Sequence, residues 1–297
     1  MAWRGVLLTQ KAHLSLSDDC CLVERDDGNI RLAFEDIAYL IIDTPQITLS
    51  TAVLARILEA NILIVICDGK HLPTGACLPL QGHFRQSQTF RLQLRLKPAL
   101  AKVFWQRLIM AKIQNQAAVL RSLEHARGQA LATMADRVRP GDPGQVEARA
   151  AQVYFPAAFN QMISRRDDND IRNAMLNYGY AVVRAAIARA LAARGFHPAL
   201  GIHHDSMDNA FNLADDLIEP WRAIVDRHVL DLMDSREEQE QLTVDDRREL
   251  ARILVSEVNF TGKSYTVIAA IDEMADGLFR AIESGDPDQL GLPALRP

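Results

Sequence analysis

The stretch HLPTGACLPLQG, residues 71–82, separates two parts of the chain that follow different patterns. It contains two prolines and two glycines, which interrupt helices and strands. Before it, short runs rich in apolar and β-branched residues are separated by turn residues. After it, apolar residues recur at helical spacing. We therefore predict a β domain at residues 1–72, a linker at 73–82 and a helical domain at 83–285.

The predicted β domain consists of short strands with one helix among them. The strand-like runs are RGVLLT (4–9), HLSLS (13–17), the hairpin CCLVERDDGNIRLAF (20–34), IAYLII (37–42), ITLS (47–50) and ILIVICD (62–68). In the hairpin, Gly28 can supply the positive φ that a tight turn requires. TAVLARILEAN (51–61) has its apolar residues on one side and is predicted to be the helix.

The predicted helical domain continues to about residue 285. Its helices cover RLQLRLK (91–97), 99–126, 144–163, 170–195, 211–233, 243–260 and 264–283. Asp142 and Thr243 are expected to cap helices, with Asp246 completing a near capping box, and Gly195 is expected to end one. Residues 286–297 are predicted to be a flexible tail. The fold class is therefore α+β, a small β-sandwich-like domain with one helix followed by a larger all-α domain.

Charge is distributed unevenly along the 297 residues. Residues 80–195 contain 18 Lys and Arg against 7 Asp and Glu, a net charge of +11, whereas the segments on either side are acidic and the whole chain carries −5. A basic segment of this size indicates a polyanion partner such as DNA. The alternative is that the basic segment packs against the acidic C-terminal part and is neutralised by it.

Composition predicts a cytoplasmic protein without a membrane partner. The longest apolar run, ILIVIC (62–67), is far shorter than the ~20 residues needed to cross a bilayer. The N-terminus lacks the apolar core and cleavage site of an export signal. The four cysteines show no CxxC spacing and are expected to be reduced thiols.

The stretch GIHHDSMDNAFNLADDLIEPWR, residues 201–222, is the strongest candidate for chemistry. It is not a calcium loop, because Met207 and Ala210 stand where an oxygen ligand and a glycine are needed. In its helix, Asp216 and Glu219 are three residues apart and share a face, whereas Asp215 is expected to point to solvent. Pro220 is expected to kink this helix, because it removes a backbone donor.

A histidine precedes these acids and could join them. His204 lies 12 residues before Asp216 and 15 before Glu219. An imidazole with carboxylates suits Mg²⁺ or Mn²⁺. Glu147, on a small apolar helix face that also contains Tyr154, could supply a further carboxylate. From the residues alone, solvated surface groups and a half-exposed Glu at a helix end remain open alternatives.

Three blocks of the chain resemble the signature segments of the CRISPR adaptation integrase, the first-named CRISPR-associated protein. They are VEARAAQVYF (146–155), NAMLNYGYAVV (173–183) and GFHPALGIHHDSMDNAFNLADDLIEPWRAIVD (195–226). KIQNQAAVL (112–120) and FTGKSYTVIAAI (260–271) are similar to further segments of the compact form found in type II systems. The resemblance is dense in the helical domain, whereas the β domain agrees in length and character only.

The resemblance implies a metal-dependent DNA integrase and endonuclease. Such an enzyme captures short foreign duplexes and inserts them into the CRISPR array, where a DNA 3′-hydroxyl attacks a phosphodiester. The family's metal ligands and catalytic residues fall on Glu147, His204 and Glu219, with Asp216 as a supporting acid and Mg²⁺ or Mn²⁺ as the ion. His203 is then expected to pack or to cap.

The resemblance also implies partners. These are double-stranded DNA from the prespacer and from the repeat and leader, a second copy of the chain, and a small second adaptation subunit. The type II effector nuclease and an accessory protein are further candidates. In the basic segment, Lys102, Lys112, Arg165 and Arg166 are candidate DNA contacts, with solvated helix faces as the alternative. Tyr154 is a candidate DNA contact or a core residue.

Two other functions compete with the integrase. One is a non-catalytic DNA-binding scaffold subunit that keeps the fold but has lost the site. The other is a metal hydrolase acting on small molecules, which the basic segment disfavours. The presence of Glu147, His204 and Glu219 together favours the enzyme.

Overall fold

The computed structural model describes residues 4–79, 84–159, 170–235 and 241–295. It confirms the predicted α+β class, because strands form the N-terminal part and helices most of the C-terminal part. Within these residues no helix is both long and apolar enough to span a bilayer.

The N-terminal part is built from two sheets and one helix. Its elements are β1 (Arg4–Leu8), β2 (Ala12–Ser17), β3 (Cys20–Arg25), β4 (Gly28–Ala33), β5 (Ile37–Ile42), β6 (Ile47–Leu49), α1 (Thr51–Glu59), β7 (Leu63–Cys67) and β8 (Pro73–Cys77). One sheet has the order β1-β5-β7-β8 and the other β4-β3-β2-β6. The hairpin between β3 and β4 forms as predicted, with Gly28 at φ 134°.

Strand β5 joins the β part to the helical part. All six of its residues are buried. Because side chains alternate across a strand, Leu40 and Ile42 enter the core between the two sheets and α1, while Tyr39 and Ile41 enter the core shared with the helices. The first sheet therefore has one face on each core.

The predicted linker at 73–82 is wrong at its start, because Pro73–Cys77 form strand β8. This strand pairs antiparallel with β7 and lies at the edge of the first sheet. Proline is tolerated at the beginning of an edge strand, where its missing N–H is not needed. The N-terminal part thus extends past residue 72. Residues 80–83 lie outside the described ranges.

The helical part follows the predicted periodicity. Its helices are α2 (Gln86–Leu94), α3 (Pro98–Ser122), α4 (Arg127–Ala135), α5 (Val146–Ala158), α6 (Ile171–Ala193), α7 (Asn212–Leu217), α8 (Glu219–Ser235), α9 (Val244–Arg252) and α10 (Val267–Ser284). The Thr243 hydroxyl and the Asp246 carboxylate form the expected capping box of α9. Gly195 follows α6 with φ 81°, a conformation that ends helices.

The C-terminal part is largely helical, as predicted, but it also contains short strands, which corrects the predicted helix over 243–260. A small sheet contains β9 (Glu257–Phe260) and β10 (Lys263–Thr266). Their two-residue turn, Thr261-Gly262, has positive φ at both positions, as a tight hairpin turn requires. Gly262 adopts this conformation readily, whereas a β-branched residue such as Thr261 rarely does.

The predicted flexible tail at 286–297 is also wrong as far as residue 295. Strand β11 (Pro293–Ala294) pairs with β9, and Leu290 is buried. The Asn115 side chain on α3 accepts a hydrogen bond from the Leu295 amide at 3.0 Å. The tail therefore packs beside the central helix α3.

A buried ion pair connects the β part to α9. The Asp43 carboxylate, which follows β5, lies 2.8 Å from Arg247 Nε and 2.9 Å from His71 Nδ1. The Asp43 side chain is fully buried and that of Arg247 is 6% exposed. A charge pair in such surroundings depends on both partners, because either one alone would be an uncompensated buried charge.

We predict that Arg247→Met lowers the free energy of unfolding by about 3–5 kcal/mol, because Asp43 keeps a buried charge without its guanidinium. The double variant Asp43→Asn/Arg247→Met should recover much of the loss. Arg248→Met, which removes an exposed arginine paired with Asp245, is the matched control and should cost ~1 kcal/mol or less. Urea unfolding measures all three, and equal losses for the two arginines would contradict the prediction.

Candidate functional site

Asp216 organises the loop that carries the two histidines. Its buried carboxylate accepts hydrogen bonds from the backbone amides of Ile202, His203 (3.0 Å) and His204 (3.1 Å). Gly201 allows the loop to wrap this closely, because a Cβ there would lie 2.1 Å from the His204 carbonyl oxygen and 2.8 Å from Asp216 Oδ2. One buried acid thus determines the path of the loop.

The same carboxylate orients the His204 ring. His204 Nδ1 lies 2.7 Å from Asp216 Oδ1, and the side chain is 43% exposed. The hydrogen bond to Asp216 raises the pKa of His204 above its ordinary value, and Asp216, Glu219 and Asp215 also attract the proton, while partial burial opposes them. With Nδ1 turned to Asp216, Nε2 is the ring nitrogen left to bind a ligand.

Trp105 on α3 supports both histidines. The His203 ring stacks on it with centroids 4.0 Å apart and planes 6° apart, and His204 meets it edge-on at 5.6 Å. His203 therefore packs, as expected. Trp105 was not predicted to be a site residue, although its position seven residues before Lys112 places both on one face of α3.

The carboxylates of Glu147 and Glu219 meet at the ammonium group of Lys112. Lys112 Nζ lies 2.5 Å from Glu147 Oε1 and 2.5 Å from Glu219 Oε2. The side chains of Lys112 and Glu219 are 9% and 6% exposed, whereas that of Glu147 is 31% exposed. Two of the predicted metal ligands, on different helices, thus converge on one cation.

Arg222 contributes a second cation to Glu219. Its Nε donates to Glu219 Oε1 at 2.9 Å, one helical turn along α8. Burial raises the pKa of Glu219, but Lys112 and Arg222 together outweigh it and lower the pKa below its ordinary value. Burial likewise disfavours the charged form of Lys112, but Glu219 and Glu147 outweigh it and raise its pKa. The i, i+3 spacing of Glu219 and Arg222 could have indicated this pair.

Asp142 holds Glu147 in place from the preceding loop. Its carboxylate accepts hydrogen bonds from the amides of Val146 (2.9 Å) and Glu147 (3.0 Å) at the N-terminus of α5. Asp142 therefore caps α5 as expected, although the helix begins at Val146 and not at residue 144.

Pro220 interrupts the helix predicted over 211–233. Helix α7 ends at Leu217, α8 begins at Glu219, and Ile218 lies between them. Asp216 consequently contacts the histidine loop, while Glu219 contacts Lys112, so the two acids have different partners. Asp215 is not simply solvated, because it forms an ion pair with Arg184 at 2.7 Å.

The candidate DNA contacts have different locations. Lys102 is exposed on α3, beside Gly141. Lys112 is buried in the site, not on an open helix face, because it neutralises two carboxylates there. Tyr154 is fully buried, so it is a core tyrosine. Burial, and to a smaller extent the nearby Asp226, raises the pKa of its hydroxyl well above the ordinary value. Arg165 and Arg166 lie outside the described residues.

The described residues do not form a finished metal site. Across ranges 4–79, 84–159, 170–235 and 241–295, no three His, Cys, Asp or Glu side chains are arranged to hold an ion. The donor types nevertheless fit a hard divalent ion, because two carboxylates converge on a cation and His204 keeps one ring nitrogen for a ligand. Glu147, Glu219 and His204 Nε2 are therefore the groups that could hold Mg²⁺ or Mn²⁺.

Comparison with known proteins identifies similar chains. The family model of CRISPR associated protein Cas1 matches residues 6–256. The CRISPR-associated endonuclease Cas1 of Neisseria meningitidis serogroup C (strain 8013) is 36% identical over 298 residues, which cover 100% of this chain and 98% of that protein.

Two solved structures share the fold at low sequence identity. A casposase bound to its integration product has a TM-score of 0.77 at 20% identity, over 95% of this chain and 91% of that one. A chain of a Cas6-RT-Cas1–Cas2 complex has a TM-score of 0.72 at 19% identity, over 97% of this chain and 36% of that one. At these identities, the similarity concerns the fold alone.

The hydrogen bond to Asp216 predicts the titration of His204. In the metal-free protein, the imidazole should titrate above the ordinary value of 6.5, and Asp216→Asn should lower its midpoint. Because folding raises the pKa of His204, its protonated ring stabilises the folded state. This stabilisation is complete below the pKa of the unfolded state and is lost as the pH rises through the pKa of the folded state.

Histidine NMR titration, with the His204 signal assigned from His204→Gln, measures the midpoint. Asp215→Asn is the matched control and should lower it much less, because Asp215 acts only through its charge. Equal shifts in the two variants would contradict the role of Asp216.

Proposed function

The chain belongs to the Cas1 family of CRISPR-associated proteins, and from this we propose that it is a divalent-metal-dependent DNA endonuclease and integrase of CRISPR adaptation. The reaction we propose is transesterification, in which the 3′-hydroxyl of a short duplex attacks a phosphodiester of the CRISPR array. A new P–O bond joins the duplex to the array strand, and the broken P–O bond releases a 3′-hydroxyl of that strand. The observation that carries the proposal is the convergence of Glu147 and Glu219 on one cation. The imidazole of His204 is oriented separately, by the buried carboxylate of Asp216.

Each residue has a definite task in this proposal. Glu147, Glu219 and His204 Nε2 would hold Mg²⁺ or Mn²⁺, which supplies polarisation of the scissile phosphate and a lower pKa for the attacking hydroxyl or water. Asp216 keeps Nδ1 of His204 engaged, so the neutral ring keeps the lone pair on Nε2. Arg222 balances the charge of Glu219, and Asp142 holds the first turn of α5.

DNA is the proposed substrate, and the basic segment supports it. The net charge of +11 over residues 80–195 would attract phosphates, with exposed Lys102 as one candidate contact. We further propose a homodimer that works with a small second subunit, in line with the solved complexes that contain both Cas1 and Cas2. The effector nuclease and an accessory protein remain proposed partners of a type II system.

A non-catalytic scaffold is the second candidate, and one observation favours it. Lys112 already neutralises the two acids, as it would in a protein that had lost the metal and kept the fold. A scaffold would still bind DNA but would not join it. The two candidates therefore differ in strand transfer and not in binding.

We predict that strand transfer requires Glu147 and His204. With Mn²⁺, the second subunit and a supercoiled target, Glu147→Gln and His204→Ala should lower the joining of a short duplex by about 100-fold or more, because each removes a ligand of the proposed metal ion. Glu59→Gln on α1 is the control and should be as active as the wild type. Equal activity in all four proteins would exclude the roles proposed for Glu147 and His204, and activity in none would favour the scaffold.

DNA binding should weaken steeply with salt. Neutralised phosphates release counterions, so log K should fall linearly with log salt, and Lys102→Met should reduce the magnitude of that slope by about 1 if Lys102 contacts a phosphate. Fluorescence anisotropy between low and physiological salt measures the slope, with Lys263→Met as the control. A flat response would remove the role proposed for the basic segment.

A further inference from the structure

Both carboxylate oxygens of Glu219 are occupied by cationic side chains. Oε1 accepts from Arg222 Nε at 2.9 Å, and Oε2 accepts from Lys112 Nζ. Lys112 also reaches Glu147 Oε1 at 2.5 Å. A divalent ion that uses Glu219 as a ligand must therefore bind an oxygen that already accepts a hydrogen bond from one of these two cations.

The spacing of the acids suits an ion at the position of the ammonium group. Both contacts are 2.5 Å long, so the oxygens Glu147 Oε1 and Glu219 Oε2 are at most twice that distance, 5.0 Å, apart. Ligand oxygens lie about 2.1 Å from Mg²⁺, so two of them on opposite sides of the ion are about 4.2 Å apart. Even at the maximum separation of 5.0 Å, the two oxygens would need to move toward each other by less than 1 Å for an ion to replace Nζ.

Lys112 is the cation that can leave. Arg222 is held from two sides, because it shares helix α8 with Glu219 and its guanidinium lies 4.8 Å from the centre of the Tyr180 ring. Lys112 reaches the acids from a different helix, through a flexible chain of four methylene groups. Withdrawal of one ammonium releases one oxygen of each acid at the same time.

We propose that Lys112 is a built-in counter-cation, which holds Glu147 and Glu219 together in the metal-free protein and gives up its position when a divalent ion binds. This rests on the proposed function, since it assumes that the two acids hold metal. An ammonium and a divalent ion cannot share the same two oxygens without strong repulsion. Lys112 is thus a positioning residue that competes with the metal, and metal affinity in the wild type is lower than the acids alone would give.

Metal binding without DNA tests the inference directly. Mn²⁺ is titrated into the full chain, followed by calorimetry and by the electron paramagnetic resonance of free Mn²⁺. Lys112→Met should bind Mn²⁺ about 10- to 100-fold more tightly than the wild type, within the range over which neighbouring groups alter metal affinity. Its melting temperature without metal should be lower and should rise more on adding Mn²⁺, because Glu147 then lacks the ammonium group and Glu219 keeps only Arg222 as a counter-charge.

Controls separate this inference from the proposed function. Lys263→Met makes the same substitution at an exposed position on β10 and should bind Mn²⁺ like the wild type. Lys112→Gln keeps a donor without the charge and replaces Lys112→Met if that variant does not fold. Mn²⁺ affinity that is equal to or weaker than that of the wild type in the folded Lys112 variant would overturn the inference.

The Glu147→Gln variant reports on the metal site itself. If it weakens Mn²⁺ binding while Lys112→Met leaves it unchanged, the site stands and the competing role of Lys112 fails. If Glu147→Gln and Lys112→Met both bind Mn²⁺ as the wild type does, the metal site at these acids fails, and the inference fails with it.

Discussion

The buried ammonium group of Lys112 joins three helices at the candidate site. The Lys112 side chain extends from α3 to Glu147 on α5 and to Glu219 on α8, and it is 9% exposed. A charge in such surroundings is tolerated only when it is paired, so the packing of α3, α5 and α8 must bring both carboxylates to it. The spacing of the acids is therefore a property of the helix packing and not of a loop, which is the rigidity that a metal site needs.

The interruption at Ile218 was predictable in part. Pro220 lacks the N–H that would continue the helix, so a break near residue 216 follows from covalent structure. The effect of this break on the two acids could not be predicted from the sequence. Asp216 and Glu219 were expected to act side by side, but Asp216 serves the amides of the 201–204 loop while Glu219 faces α3. Asp216 reaches the loop because Gly201 has no side chain and lets the loop close on it. Glu219 turns to Lys112 on α3, which lies 107 residues earlier in the chain.

Local signals predicted most of the fold, and non-local pairing explains what they missed. The strands, the hairpin at Gly28, and the capping box at Thr243 depend on neighbouring residues, and the structure contains them. Strand β11 has its partner β9 more than 30 residues away, so a short Pro-containing tail carried no local sign of order. The buried position of Lys112 was missed for a similar reason, because the charge of a segment does not say which way a side chain faces.

Helix α3 holds both halves of the site. Trp105 supports the histidines, Lys112 holds the acids two turns further on, and Asn115 follows one turn later. The amide of Asn115 donates to the carbonyl oxygens of Pro220 (2.8 Å) and Pro293 (3.1 Å), so it joins the start of α8 to the C-terminal strand. Glu219 is consequently fixed from α3 at two points, through its carboxylate by Lys112 and through the next residue's carbonyl by Asn115. When Lys112 withdraws, the backbone at Glu219 is still held by Asn115, so a side-chain movement can open the acid pair without unfolding the helix that carries it.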